Sequence, residues 1–321
     1  SSTSCGISLA AILRQRPLGR DIRRHELCSG NLEMTAFQSE GLAWHNRTMN
    51  PWWLLILVVC VIALALWIPR YRLRRAIAAP FPDQWVAFLE SNIEVYRRLP
   101  MDLRLQLRRL IKQFLHQKTF TGANGLQITD EIRVTIAAQA CMLVLNRNSG
   151  VYPKLRYIIV YPTAFVAEHS NRDESGVVDA RARGLLGESW HNGKVILAWD
   201  SVQKGARNFV DGQNVVLHEF AHQLDSEDGS TDGAPLLAGA NSYRSWATTL
   251  SPEFVDLQND ARRGRRSIMD HYGATNPAEF FAVATETFFE KPRRMAENHA
   301  ELFEILKSYY RIDPRDWQET R

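Results

Sequence analysis

Asp211-Gly-Gln-Asn-Val-Val-Leu-His-Glu-Phe-Ala-His-Gln-Leu-Asp225 combines a helical apolar pattern with two histidines four residues apart. Asp211-Gly212 or Asn214 can start a helix, Val215, Val216 and Leu217 give it an apolar entry, and Asp225-Ser-Glu-Asp-Gly229 can end it in a polar turn. On such a helix His218 and His222 stand one turn apart on one face, the spacing at which two imidazoles grip one Zn²⁺. Glu219 then lies beside the metal without ligating it. A carboxylate there can take the proton of a metal-activated water and return it to a leaving amine. The pattern predicts zinc-peptidase chemistry, and its alternative is a buried amphipathic helix whose histidine pair is structural.

The 321 residues have room for a membrane anchor plus one substantial domain, or for two small domains. A net charge of +4, with much of the basic excess local, gives no reason to expect nucleic acid as a partner. Cys5, Cys28, Cys60 and Cys141 are scattered without a C-x-x-C pair, so neither a disulfide framework nor a cysteine metal site is expected.

Residues 1–48 have no sustained periodicity and are expected to be unstructured or upstream of the working protein, because Met49-Asn-Pro-Trp-Trp reads as a natural start. Residues 52–68 carry no charge and are bracketed by tryptophans, as in a single-pass membrane span, which sets the anchor at 49–69. A core helix is rarely apolar on every side, and a signal peptide ends in a small-residue cleavage site. Pro69-Arg-Tyr-Arg-Leu-Arg-Arg75 follows instead. Its arginines should stay on the cytoplasmic side, so 70–81 reads as a basic juxtamembrane linker and 82–317 as a cytoplasmic domain.

Trp85, Phe88 and Leu89, then Leu103, Leu107, Leu110, Ile111, Phe114 and Leu115, recur at helical spacing. Thr129-Asp-Glu131 can cap a third helix running through Leu145. Residues 155–161 and 194–199 have the β-branched and aromatic content of strands, and the charged, glycine-punctuated stretch between them is expected to form hairpins or loops near a cleft. The strand at 194–199 is the candidate edge on which an extended substrate would add as a further strand. After a polar loop at 226–239, helices are expected at 243–250 and 253–262, with Arg262-Arg-Gly-Arg-Arg266 as a solvated loop and a closing helix through Leu302 and Tyr309. The whole of 226–270 could serve as a lid.

Two histidines leave a catalytic zinc one protein ligand short. Asp270-His-Tyr-Gly-Ala-Thr-Asn-Pro-Ala-Glu-Phe-Phe-Ala-Val-Ala-Thr-Glu-Thr-Phe-Phe-Glu290 is the best source of a third. Asn276 can cap a helix with Pro277 at its first position, which puts Glu279 third, where it either caps reciprocally or ligates. Glu286, two turns on and on nearly the same face, is the rival ligand. Periodicity does not separate the two.

His218-Glu-Phe-Ala-His-Gln-Leu-Asp225 followed by Tyr272-Gly-Ala-Thr-Asn-Pro-Ala-Glu-Phe-Phe-Ala282 resembles the Mlc titration factor A family of bacterial zinc-dependent peptidases, over residues from about 82 to about 317. The second segment is also similar to the gluzincin-type site of anthrax lethal factor. The resemblance implies an α+β, zincin-like metallopeptidase domain with a small sheet around the HExxH helix and one Zn²⁺ per chain. It implies His218, His222 and Glu279 as ligands, Glu219 as general base, and Tyr272 as hydrogen-bond donor to the developing oxyanion. The implied activity is hydrolysis of a peptide or protein substrate, aminopeptidase-like in its action on small substrates. The alternative function that the family suggests is a membrane-tethered module that binds a transcriptional regulator. Asp225, Glu286 and His271 are candidates for orienting the ligands from behind.

Overall fold

A computed structural model describes residues 51–147, 150–164 and 193–317. Contacts divide the chain into two units, 1–56 and 57–321. Of the first, 51–56 are described, and they begin a helix. The readings made for 1–48, for Met49 and for most of the stretch between the two predicted strands lie outside the described residues.

Helix α1, Pro51–Ala78, contains the apolar run, and it is the one helix among the described residues that is long and apolar enough to cross a membrane, its most apolar 18 residues having mean hydropathy 2.6 and none of them buried. The basic segment does not interrupt it. Arg70 donates from Nη1 to the Leu66 carbonyl at 2.9 Å, and the Trp67 and Tyr71 rings stack at 4.9 Å, so the helix continues through Pro69 and ends at Ala78.

The remaining elements form a mostly helical α+β domain. Helices α2 (Asp83–Asn92) and α3 (Met101–Gln117) follow, and α3 buries Leu103, Leu107, Ile111, Phe114 and Leu115, the face that the spacing predicts. Helix α4 (Asp130–Met142) starts where the Thr129 side chain accepts from the Ile132 N–H, and it is buried on every side from Val134 onward. It stops three residues short of the predicted end, in a turn. A three-stranded parallel sheet runs in the order β1 (Thr119–Gly122), β2 (Tyr157–Tyr161), β3 (Lys194–Ala198), with Ile158 opposite Phe120 and Val195. Ile158, Val160, Val195 and Leu197 alternate inward, as strands with one covered face require. Trp199, read as the end of a strand, instead opens helix α5 (Trp199–Arg207).

Helix α6 (Val215–Asp225) follows, then α7 (Ala240–Arg263), α8 (Pro277–Glu290), α9 (Pro292–Asn298) and α10 (Ala300–Tyr310). The two helices expected at 243–250 and 253–262 are one. Pro252 lies inside it, where the missing N–H removes a single rung, and the helix runs on to Gly264, whose left-handed conformation (φ 62°) ends it. Of the basic cluster expected as a loop, Arg262 and Arg263 are instead the last residues of this helix, and Arg265 beyond it is solvent-exposed.

The core joins these layers through aromatic rings. Phe220 of α6 meets Tyr152 at 4.8 Å and Phe114 at 5.7 Å between ring centroids, and the Tyr152 hydroxyl donates to the Ala140 carbonyl at 2.6 Å. Phe220 therefore fixes α6 against α3 and α4 on the side opposite its histidines. Truncating it in the detergent-solubilised chain (Phe220→Ala) is expected to cost about 3–5 kcal/mol of unfolding free energy by urea titration; a loss under about 1 kcal/mol would mean that this ring does not anchor the helix.

Candidate metal centre

Helix α6 begins at Asn214, whose side-chain oxygen accepts from the Val216 and Leu217 N–H groups at 3.1 Å each. Of the two starts that the sequence offers, this is the one used. His218 and His222 then share a face, with their Nε2 atoms 3.3 Å apart. Glu219 is buried on the same helix.

Helix α8 packs across α6 and brings the second half of the site. Asn276 caps it by accepting from the Glu279 N–H at 2.9 Å, and Pro277 occupies its first position. The backbone of Glu279 serves the cap while its carboxylate reaches into the site, 3.0 Å from His218 Nε2 and 3.5 Å from His222 Nε2. Three donor atoms on His218, His222 and Glu279 lie within 4.8 Å of one another. Ligands about 2.0–2.1 Å from a tetrahedral zinc stand about 3.3 Å from each other, so this donor set fits such an ion in both type and spacing.

Glu286 does something different. Its Oε1 lies 2.7 Å from His218 Nδ1, and its Oε2 accepts from the Asn214 N–H. A carboxylate behind Nδ1 accepts that nitrogen's N–H and fixes the ring, so that Nε2 faces Glu279 and His222. The two glutamates that periodicity leaves equivalent thus meet opposite nitrogens of one imidazole.

Glu290, one turn further along α8, was not anticipated from the sequence. Its carboxylate accepts from the N–H groups of Gly212 and Gln213 at 2.7 and 3.2 Å and from Asn214 Nδ2 at 3.1 Å. The signal available was its spacing, four residues past Glu286 on the same helical face. Tyr272 sits in a short turn, His271–Ala274, that Asp270 caps by accepting from the Tyr272 N–H at 2.8 Å. Asp270 also accepts from Gln213 Nε2 at 3.3 Å, which ties this turn to the start of α6 and leaves the Tyr272 ring 5.9 Å from that of His218. His271 points outward and is exposed.

The Asp225 carboxylate accepts from the Gly233 N–H at 2.9 and 3.1 Å, and Trp246 Nε1 donates to the Gly233 carbonyl at 2.9 Å. Gly233 has φ 82°, and a Cβ there would fall 2.3 Å from the Pro277 carbonyl oxygen. Only glycine fits where the loop touches the first turn of α8. The 226–270 segment is therefore a loop pinned at Gly233 and then the long helix α7, and it leads into the Tyr272 turn.

Charge in this cluster is divided unevenly. Burial opposes a charged His218, but the Glu279 and Glu286 carboxylates prevail and raise its pKa to about 10. Burial, aided by the charge of His218, lowers His222 to about 4. Burial would raise Glu279, yet its hydrogen bonds with the two histidines hold it down to about 2. Burial followed by the charge of Glu286 raises Glu290 to about 8, against the N–H donors of Asn214 and Gly212. Asp225 is raised by burial to about 7.

Residues 67–311 match the family described as glucose-regulated metallo-peptidase M90. An uncharacterised protein of Synechocystis sp. is 40% identical over 245 residues, which cover 76% of this chain and 89% of that one. Mlc titration factor A of Serratia proteamaculans is 31% identical over 220 residues, covering 67% and 83%, and its namesake in Pectobacterium atrosepticum is 31% identical over 243 residues, covering 74% and 90%.

Two outcomes are expected from this geometry. Replacing Glu286 with Gln should weaken zinc binding about 10–100-fold in competition with a chromophoric chelator, since the His218 ring loses its orienting carboxylate; unchanged affinity would remove that role. Glu290 has a raised pKa in the folded chain, so its contribution to stability is complete below about pH 4.5 and is lost as the pH rises through about 8. The urea midpoint of the metal-free chain should fall more steeply between pH 5 and pH 9 than that of Glu290→Gln, and equal slopes would assign this carboxyl an ordinary pKa.

Proposed function

Because the chain belongs to the glucose-regulated metallo-peptidase M90 family, we propose that it hydrolyses peptide bonds at the cluster of His218, His222 and Glu279, with one zinc as the metal. The observation that carries this reading is the convergence of two Nε2 atoms and a carboxylate from two different helices, at separations of 3.0, 3.3 and 3.5 Å. Zinc held there supplies Lewis acidity, which polarises a carbonyl and makes water a better nucleophile at neutral pH. Glu219, next to His218 on α6, takes the proton of the attacking water and passes it to the leaving amine. Tyr272 donates its hydroxyl proton in a hydrogen bond to the oxygen that gains charge as the carbonyl is attacked. His218 is held by Glu286 throughout, so that its Nε2 stays directed at the reacting centre. An extended peptide lies along β3, which ends the strand order among the described residues and packs against α6. The resemblance noted from sequence supports aminopeptidase-like action on small peptides.

Helix α1 is assigned to a single crossing of a bacterial inner membrane, with Arg70, Arg72, Arg74 and Arg75 and the domain that follows them on the cytoplasmic side. A second reading rests on the name of the relatives. Proteins called Mlc titration factor A align over most of this domain, and on that basis the chain binds a transcriptional regulator close to the membrane, with hydrolysis secondary.

Hydrolysis of a panel of peptides and amino-acid anilides by the zinc-loaded full-length chain distinguishes the two. Glu219→Gln with equal measured zinc should lose about 10²–10⁴-fold in kcat if the glutamate is the base. Equal activity in both proteins would exclude that role. Absence of cleavage by either, with zinc retained, would favour regulator binding.

A further inference from the structure

The end of α1 meets the folded domain on one face of α3. Lys112 donates from its ammonium group to the carbonyls of Ile77 and Ala79, and the Arg108 guanidinium lies 5.6 Å from the centre of the Phe81 ring. At about 100° per residue, positions 101, 105, 108 and 112 of α3 fall in one narrow stripe. Residues 77–81 cover the C-terminal half of that stripe. Its N-terminal half is bare, with Met101 63% and Leu105 55% exposed. Arg104 and Arg109 flank it, and across the whole of α3 Arg104, Arg108, Arg109 and Lys112 face a single acid, Asp102.

The distance to a bilayer is short. Between Ile68, the last residue of the apolar run, and Ile77 lie only two to three helical turns, so the Lys112 end of α3 is held within about 15 Å of the apolar layer, and Leu105 lies two helical turns along α3 from that point. On the intervening helix Arg70, Arg72, Arg74 and Arg75 are exposed, whereas Leu73, Ala76 and Ile77 are partly covered. A basic helical face bearing large apolar side chains and adjoining a membrane helix has the make-up of an interfacial contact.

We propose that Met101 and Leu105 of α3 rest on the anionic phospholipid leaflet from which α1 emerges, with Arg104 and Arg109 on its headgroup phosphates. This rests on the reading of α1 as a membrane span. Attachment at both α1 and α3 prevents the domain from swivelling on its anchor and gives the metal cluster a fixed aspect toward the membrane.

Spin labels on the full-length chain in nanodiscs test the proposal, with every cysteine except the buried Cys141 and the labelled one replaced by serine. Three chains are compared in discs containing phosphatidylglycerol: one labelled at the native Cys60 within α1, one at Leu105→Cys, and one at Val255→Cys on the exposed face of α7. Collisions with a water-soluble relaxant should be reduced several-fold at 105 relative to 255. The reduction should be lost when the disc is made of phosphatidylcholine alone or when Arg109→Glu is added. Met101→Cys should repeat the result, which guards against a local effect of the label. Equal accessibility at 105 and 255 in the anionic disc would overturn the proposal, as would shielding that appears only when two copies share a disc, the mark of contact between copies. Failure of the span reading is seen separately, as access of the aqueous relaxant to the label at Cys60.

Discussion

The centre of this molecule depends on carboxyl groups of α8 gripping the three residues that lead into α6 and include its cap, Asn214. The N–H groups at the start of a helix have no partners within it and carry its positive end. Here Glu286 and Glu290 receive the N–H groups of Gly212, Gln213 and Asn214, the residues that lead into α6. Both acids are buried, which would be costly in isolation, and the backbone donors offset part of that cost. The same contact sets the register between the helices. One turn of slippage along α8 would put one of Glu286 and Glu290 in the other's place, leave the second place without an acid, and carry Glu279 away from the histidines.

The surrounding packing preserves that register from three sides. Phe220 holds α6 from behind through the rings of Phe114 and Tyr152. Gly233 presses the loop after α6 against the first turn of α8, with Asp225 and Trp246 fastening its two backbone groups. Asp270 links the turn that bears Tyr272 to Gln213. Two of these supports are hydrogen bonds or close contacts at helix ends, and the third, Phe220, packs at the middle of α6.

What could be read from the sequence was local. The spacing of His218 and His222 and the apolar faces of α3 and α6 follow from one helix at a time, and the length and composition of 52–68 single it out without reference to any other residue. The roles of Glu279 and Glu286 were not legible, because seven residues of helix return them to one face and only the crossing of α8 over α6 decides which nitrogen each meets. Residue-type resemblance selected Glu279, and it was silent on Glu290, whose partners are backbone groups. Strand β1 was missed because four residues with no large alternation carry almost no signal. Pro252 suggested a boundary in α7, but a proline in a long helix removes one hydrogen bond without removing the packing on either side.

The sequence separation between α1 and α8 has a further consequence, one of timing. A chain made from its N-terminus completes Ala78 some 212 residues before Glu290. At about 5–20 residues per second, roughly 10–40 s pass between the two. During that interval the apolar helix is available for membrane insertion, and α6, once made, still lacks the acids that hold the residues leading into it. The order of synthesis thus places attachment before assembly, and a growing chain cannot close its metal cluster until most of its length has been made.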